Sequence, residues 1–303
     1  MPAPRSAVQL MIAQAILFAA ETAAIHHIGP GASIIQIALV RAAAGAALAG
    51  GLARRTGKRV WRTPQLRLQL LRGAITLLYM WVMIISFSYL PFAASTGISY
   101  TQSAYIAAFS ALILGEVVTR VRWTAAAIGI VGALLIAKPG FATWNAVYFI
   151  ALFAAALNGL AFVLNRYLQR ADSEATTLFY SNLVPLLGNI PVLLMTTPPT
   201  PATLVWFPAI MVCGPLGMLA GIAAVRHVSA SALGPLTLLR LVIAVAGGIV
   251  VFHEIPDIFS VAGVALILFS CLLSTNTLTP GQWRLLARPK AGRYPITAQK
   301  RTT

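Results

Sequence analysis

Three charged residues stand where a charge is hardest to keep: Glu21, Arg41 and Arg240 each fall inside a long apolar run. An ionised side chain near a bilayer's middle costs about 2.5–3.5 kcal/mol on insertion scales, so it faces the protein interior, pairs, or meets a ligand. A Glu21–Arg41 pair between neighbouring runs cancels much of that cost. It serves as a structural pair or, with Glu21 taking up a proton, as a coupling site. Arg240 has no acid beside it in its own run, which suits an anchor for the carboxylate of a zwitterionic substrate. Arg72, nearer a run's end, is expected to snorkel to the interface.

Around these charges the sequence offers a mixed wall. Ser95, Ser99 and Ser103 recur every four residues, with Thr96 and Tyr100 on the adjoining stripe of the same helix. Tyr79, Met83 and Ser86 share a face, as do Asn158, Phe162 and Asn165. Tyr79, Met83, Ser99, Tyr100, Ser103, Asn158, Phe162 and Arg240 are therefore the candidate substrate contacts. Hydroxyl stripes also pack helices closely, and Met/aromatic stripes also form ordinary core, so both readings stand. Asn158 is the sharper signal, because a mid-membrane amide without a partner costs several kcal/mol.

No catalytic constellation appears. His253-Glu254 lacks the second histidine of a zinc motif, and Pro256 follows at once. Cys213 and Cys271 both fall in apolar runs and read as buried small residues. There is no G-x-x-x-x-G-K phosphate loop. Neither an enzyme, a metal site nor a cofactor is expected.

The elements that position these residues are membrane spans. The chain is 59% hydrophobic and 9% charged over 303 residues, whereas a soluble domain carries about 25% charged residues. Apolar runs near 20 residues long follow one another at roughly 7–26, 32–52, 68–90, 94–115, 123–138, 144–165, 175–195, 202–224, 229–252 and 257–275. The first reads as a retained span rather than a removed leader. With both termini inside, eighteen of the 22 basic residues fall in cytoplasmic segments, Lys138 alone falls outside, and Arg41, Arg72 and Arg240 lie within spans. The net charge of +16 thus lines a membrane face and does not signal nucleic acid. Gly217 and Gly221 form a G-x-x-x-G pair suited to close packing within the bundle.

The pattern occurs twice. Tyr89-Leu90-Pro91-Phe92-Ala93-Ala94 and His227-Val228-Ser229-Ala230-Ser231-Ala232 each open a span that runs to a glutamate, Leu114-Gly115-Glu116 in one half and Phe252-His253-Glu254 in the other. Each glutamate precedes a small-residue span, with Gly129 and Gly132 in the first and Gly263 in the second. Two five-span units in one chain point opposite ways, which puts Glu116 at the inner face and Glu254 at the outer.

Over roughly residues 7–275 this doubled pattern resembles the EamA family of the drug/metabolite transporter superfamily. Within it the nearest likeness is to the YddG-type amino-acid exporters. The resemblance implies an all-α membrane fold, ten helices as two inverted five-helix repeats around a central cavity, with repeats at 1–140 and 141–276 and a basic cytoplasmic tail at 277–303. It also implies secondary transport by alternating access, exporting small metabolites such as aromatic and neutral amino acids. Its partners are then a small molecule and the lipid bilayer of a bacterial inner membrane, as a monomer or dimer.

Overall fold

Apolar runs in lipid must satisfy every backbone N–H and C=O internally, and helices do so within one segment. A computed structural model describes residues 4–57, 59–89, 98–137, 147–194, 196–243, 246 and 258–276, and every regular element among them is helical. Lys138, His253, Glu254 and the tail from 277 lie outside the described residues, as do Ser95 and Thr96.

Among the described residues ten helices follow in order: α1 Pro4–Ile28, α2 Ile34–Thr56, α3 Leu66–Tyr89, α4 Gln102–Leu114, α5 Arg120–Ala137, α6 Val147–Leu168, α7 Glu174–Leu193, α8 Phe207–His227, α9 Ala230–Ile243 and α10 Ile258–Asn276. Among the described residues, four stretches are long and apolar enough to cross a membrane by length and composition: Ser6–Ile25, Ile34–Arg55, Val147–Leu168 and Pro201–Arg226. The bundle is apolar outside as well as inside. Phe149 is 66% exposed, Leu112 79% and Leu272 62%, as lipid contact demands.

Local chemistry sets the helix ends. Ser33 and Gln36 form a capping box that starts α2, and the Gln36 amide also donates to the Thr197 carbonyl at 2.6 Å. α4 stops at Gly115, whose φ of 64° lies in the left-handed region that glycine enters without a Cβ penalty. α9 is not one regular helix. Pro235 has no N–H to donate, and Pro235–Leu238 tightens into a 3-10 turn between the Ala230–Leu233 turn and the rest of the element.

Residues 4–137 and 147–276 pack on each other helix by helix. α1 lies on α8, α2 on α7 and α8, α3 on α6 and α7, α4 on α6 and α9, and α5 on α10. The α5–α10 crossing brings two glycine backbones together. A Cβ built on Gly132 meets the Gly263 carbonyl oxygen at 2.7 Å, and one on Gly263 meets the Gly132 oxygen at 2.6 Å. Small residues permit such an approach, and in lipid close packing is the main force that joins helices.

Candidate functional site

A cavity of about 90 Å³ lies where the halves meet, between α1, α4, α6 and α9. A buried water needs about 10–15 Å³ by the same kind of measure, so the space exceeds one solvent molecule several-fold. α1 turns Met11, Gln14, Ala15 and Phe18 to it, the i, i+3, i+4, i+7 stripe of one helical face. Gln14 in turn fits against Gly221 of α8, where a Cβ would sit 2.1 Å from the amide nitrogen, and Gly217 receives Phe18 and Leu17. The G-x-x-x-G pair thus packs inside the bundle.

The far wall is a chain of amides and hydroxyls. The Asn158 side-chain amide of α6 donates to Gln102 Oε1, and the Gln102 side-chain amide donates to Thr237 Oγ1 at 3.3 Å. Three helices from both halves are tied through Gln102. Phe162 and Leu236 supply apolar surface beside them, and Arg240 closes the ring. The Arg240 guanidinium sits over the Tyr100 ring, 5.8 Å from its centroid, and is in electrostatic reach of Tyr79 and Glu21.

Glu21 and Arg41 meet at 2.7 Å, with Glu21 7% exposed. Arg41 also stacks over Phe18 at 5.7 Å, so the pair abuts a cavity-lining ring. Gly214 of α8 makes the room, since a Cβ there would lie 2.4 Å from Glu21 Oε1. Removing one partner of a fully buried pair costs about 3–5 kcal/mol. With the Arg41 side chain 32% exposed, Glu21→Ala should cost nearer ~2 kcal/mol. Thermal unfolding in detergent should show this loss, with about half of it recovered in the Glu21→Ala/Arg41→Ala double variant. A double variant no more stable than Glu21→Ala would show that the stranded arginine is not the source of the loss.

A second polar centre sits at one end of the bundle. The Glu116 carboxylate, leaving α4 through Gly115, accepts from the Ala230 and Ser231 amides, each at 3.2 Å, and from the Ser231 hydroxyl at 2.8 Å. Arg122 donates to the same Ser231 oxygen at 2.9 Å. Glu116 thereby caps the start of α9 from across the halves, where Ser229 makes no side-chain cap of its own.

The sequence-derived residues divide. Asn158, Phe162 and Arg240 line the cavity, and Tyr100 backs it under Arg240. Tyr79 packs beside Ile75, Leu157, Ala161 and Leu164, within reach of the Arg41 and Arg240 charges. Met83 and Ser99 are half-buried and do not line the cavity. Ser103 is 1% exposed, and its backbone carbonyl packs against Gly234. The turn at Tyr100–Thr101 is the reason: Thr101 bonds back to Ile98 with both its amide and its hydroxyl, so no regular helix runs from Ser99 to Ser103. Gln102 takes the inward place.

Arg72 corrects the snorkelling expectation. It is 4% exposed, enclosed by protein, on the α3 stripe that also carries Gln69 and Tyr79. Residues the sequence reasoning missed are Gln14, Gln102 and Thr237. The signal for the first two was their amide in an apolar run, the same signal that marked Asn158. No cluster of metal-ligating side chains occurs among the described residues.

The EamA-like transporter family's sequence profile matches twice, at residues 5–138 and 145–276. The chain is 25% identical to the pseudopaline exporter of Pseudomonas aeruginosa (strain UCBPP-PA14), over 90% of this chain and 97% of that one. It is 24% identical to the S-adenosylmethionine uptake transporter of Rickettsia prowazekii (strain Madrid E), over 70% of this chain and 72% of that one. These relatives are a metabolite exporter and a metabolite importer, not amino-acid exporters of the YddG type. A solved crystal structure shares the fold at a TM-score of 0.78, over 94% of this chain and 99% of that one, with 17% sequence identity.

Proposed function

The chain belongs to the EamA-like transporter family, and on that premise we propose that it exports a small amphipathic carboxylate of the amino-acid class by alternating access. The observation that carries this reading is the central cavity, built from both halves, with an arginine, amides and aromatic rings on its wall. An arginine fork matches a carboxylate, the amides match an amine or amide, and Phe18 and Phe162 take the apolar body. Export is proposed as the direction because the exporter among the relatives matches over nearly its whole length.

The helix pairing supports an inverted repeat. Advance each helix by five, and α1 on α8 becomes α6 on α3, while α2–α7, α4–α9 and α5–α10 map onto themselves. A pairing unchanged by exchange of the halves suits two packings of nearly equal energy, which is what alternating access requires. Both termini are proposed to be cytoplasmic, from the distribution of basic residues.

Purified protein in liposomes loaded with labelled phenylalanine, leucine or glutamate tests the proposal, with and without a pH gradient. Saturable efflux of at least one, absent from protein-free vesicles, is the expected result. No efflux of any of them removes the amino-acid class. Efflux that persists without the gradient removes an obligatory proton coupling through Glu21.

A further inference from the structure

We propose that an anionic phospholipid binds in a groove between the start of α3 and the end of α6. The site lies on the outside of the bundle, and its occupancy is independent of what the central cavity carries. The groove measures about 640 Å³ and is lined by Pro64, Gln65, Leu66, Arg67, Leu68 and Tyr167. Ligand pockets run from about 300 to 1,000 Å³, so a headgroup has room. One wall belongs to the first repeat and Tyr167 to the second, so an occupant touches both halves.

Charge names the occupant. Arg67 lines the groove and is exposed. Arg170, also exposed, holds its guanidinium over the Tyr167 ring, 5.0 Å from the centroid. The acids that follow Arg170 in the chain are engaged elsewhere. Asp172 is buried and accepts from Thr63 at 2.7 Å and from Gln69 at 2.9 Å, and Glu174 pairs with Arg226 at 2.9 Å. Neither Arg67 nor Arg170 has a carboxylate partner among the described residues. Two guanidiniums and a phenol beside one groove match a phosphodiester. The surroundings favour a lipid over a soluble phosphate. The groove is at the end of the bundle proposed to face the cytoplasm, where basic pockets between spans meet anionic headgroups. From it α3 continues with Leu66, Leu70, Leu71 and Leu78 exposed, an apolar strip for acyl chains. Trp61, just before the groove in the chain, is exposed as interfacial anchors are.

The test titrates full-length protein in detergent with dioleoylphosphatidylglycerol and with dioleoylphosphatidylcholine, and counts bound lipid by native mass spectrometry. Phosphatidylglycerol should bind at least ~10-fold more tightly, since each arginine near a membrane surface adds about a factor of five for an anionic lipid. Arg67→Gln/Arg170→Gln should bring the two lipids to within about twofold. Both side chains are exposed, so this variant should fold as the parent does. Arg54→Gln/Arg55→Gln removes the same charge from the exposed end of α2, outside the groove, and should leave the preference intact. Glycerophosphate, the headgroup chemistry without the chains, should not displace bound phosphatidylglycerol. Equal binding of the two lipids by the unaltered protein overturns the proposal. So does a preference that Arg67→Gln/Arg170→Gln leaves untouched, or one that both paired variants lose equally, which assigns it to the diffuse charge of that face. Displacement by glycerophosphate at concentrations comparable to the lipid makes the groove a site for soluble phosphates and overturns it as well.

Discussion

Arg240→Ala should lower flux by up to about 100-fold while the protein still folds. A buried arginine–carboxylate contact is worth about 1.5–3 kcal/mol, and each 1.4 kcal/mol is a factor of ten. Arg240 contributes no ion pair to the fold among the described residues; its neighbour is the Tyr100 ring, and its head lies on the cavity. Truncation removes a ligand contact and the contact with Tyr100 but breaks no ion pair among the described residues, so the unfolding midpoint should change little. Arg240→Lys keeps the charge but loses the planar fork, and should fall between, at about a tenfold loss. Tyr100→Phe keeps the aromatic face under the guanidinium and should change flux by less than about threefold. The measurement is efflux per folded molecule, with folded protein quantified by size-exclusion chromatography. A variant that lowers only the folded fraction would assign Arg240 to packing.

The spans were legible because lipid imposes a length and leaves few charges to misplace. The Glu21–Arg41 contact was legible for the same reason: in a chain with so few acids, a mid-span glutamate has few partners to choose from. Which face a residue shows was not legible. Arg72 lies near the end of an apolar run, where an arginine in a lone helix would reach for the interface. Here α6 and α7 enclose its helix, and that packing is a property of partners 80 to 120 positions away. Ser99 and Ser103 do not continue one regular helical stripe for a local reason, since the Tyr100–Thr101 turn lies between them. Gln102 thus moved from an unremarked position to the centre of the wall. The span-terminal glutamate was visible as a repeated feature, Glu116 in one half and Glu254 in the other, but its chemistry was not. Gly115 lets the chain reverse, and Glu116 then meets amides 114 and 115 residues ahead, in the other half.

That cross-half bond leads to the second large effect. If the halves exchange packings, the contacts of Glu116 with Ala230 and Ser231 must break in one of them, because they tie the end of α4 to the start of α9. Glu116→Gln removes the charge that three donors share. It should weaken the packing seen here by about 3 kcal/mol, roughly a hundredfold in the equilibrium between two states. The sequence gives Glu254 the corresponding place in the second repeat, so Glu254→Gln should bias the equilibrium the other way. A thiol in the cavity wall reports the balance: Ala15→Cys, in a Cys213→Ser/Cys271→Ser background, labelled with a membrane-impermeant reagent from each side of sealed vesicles. Glu116→Gln should speed labelling from one side and slow it from the other, and Glu254→Gln should do the reverse. The two variants test the mirror relation as well as the latch. If both speed labelling from the same side, the halves are not inverted copies. If neither changes it, the carboxylate is a static helix cap, and its loss should show only as a lower unfolding midpoint.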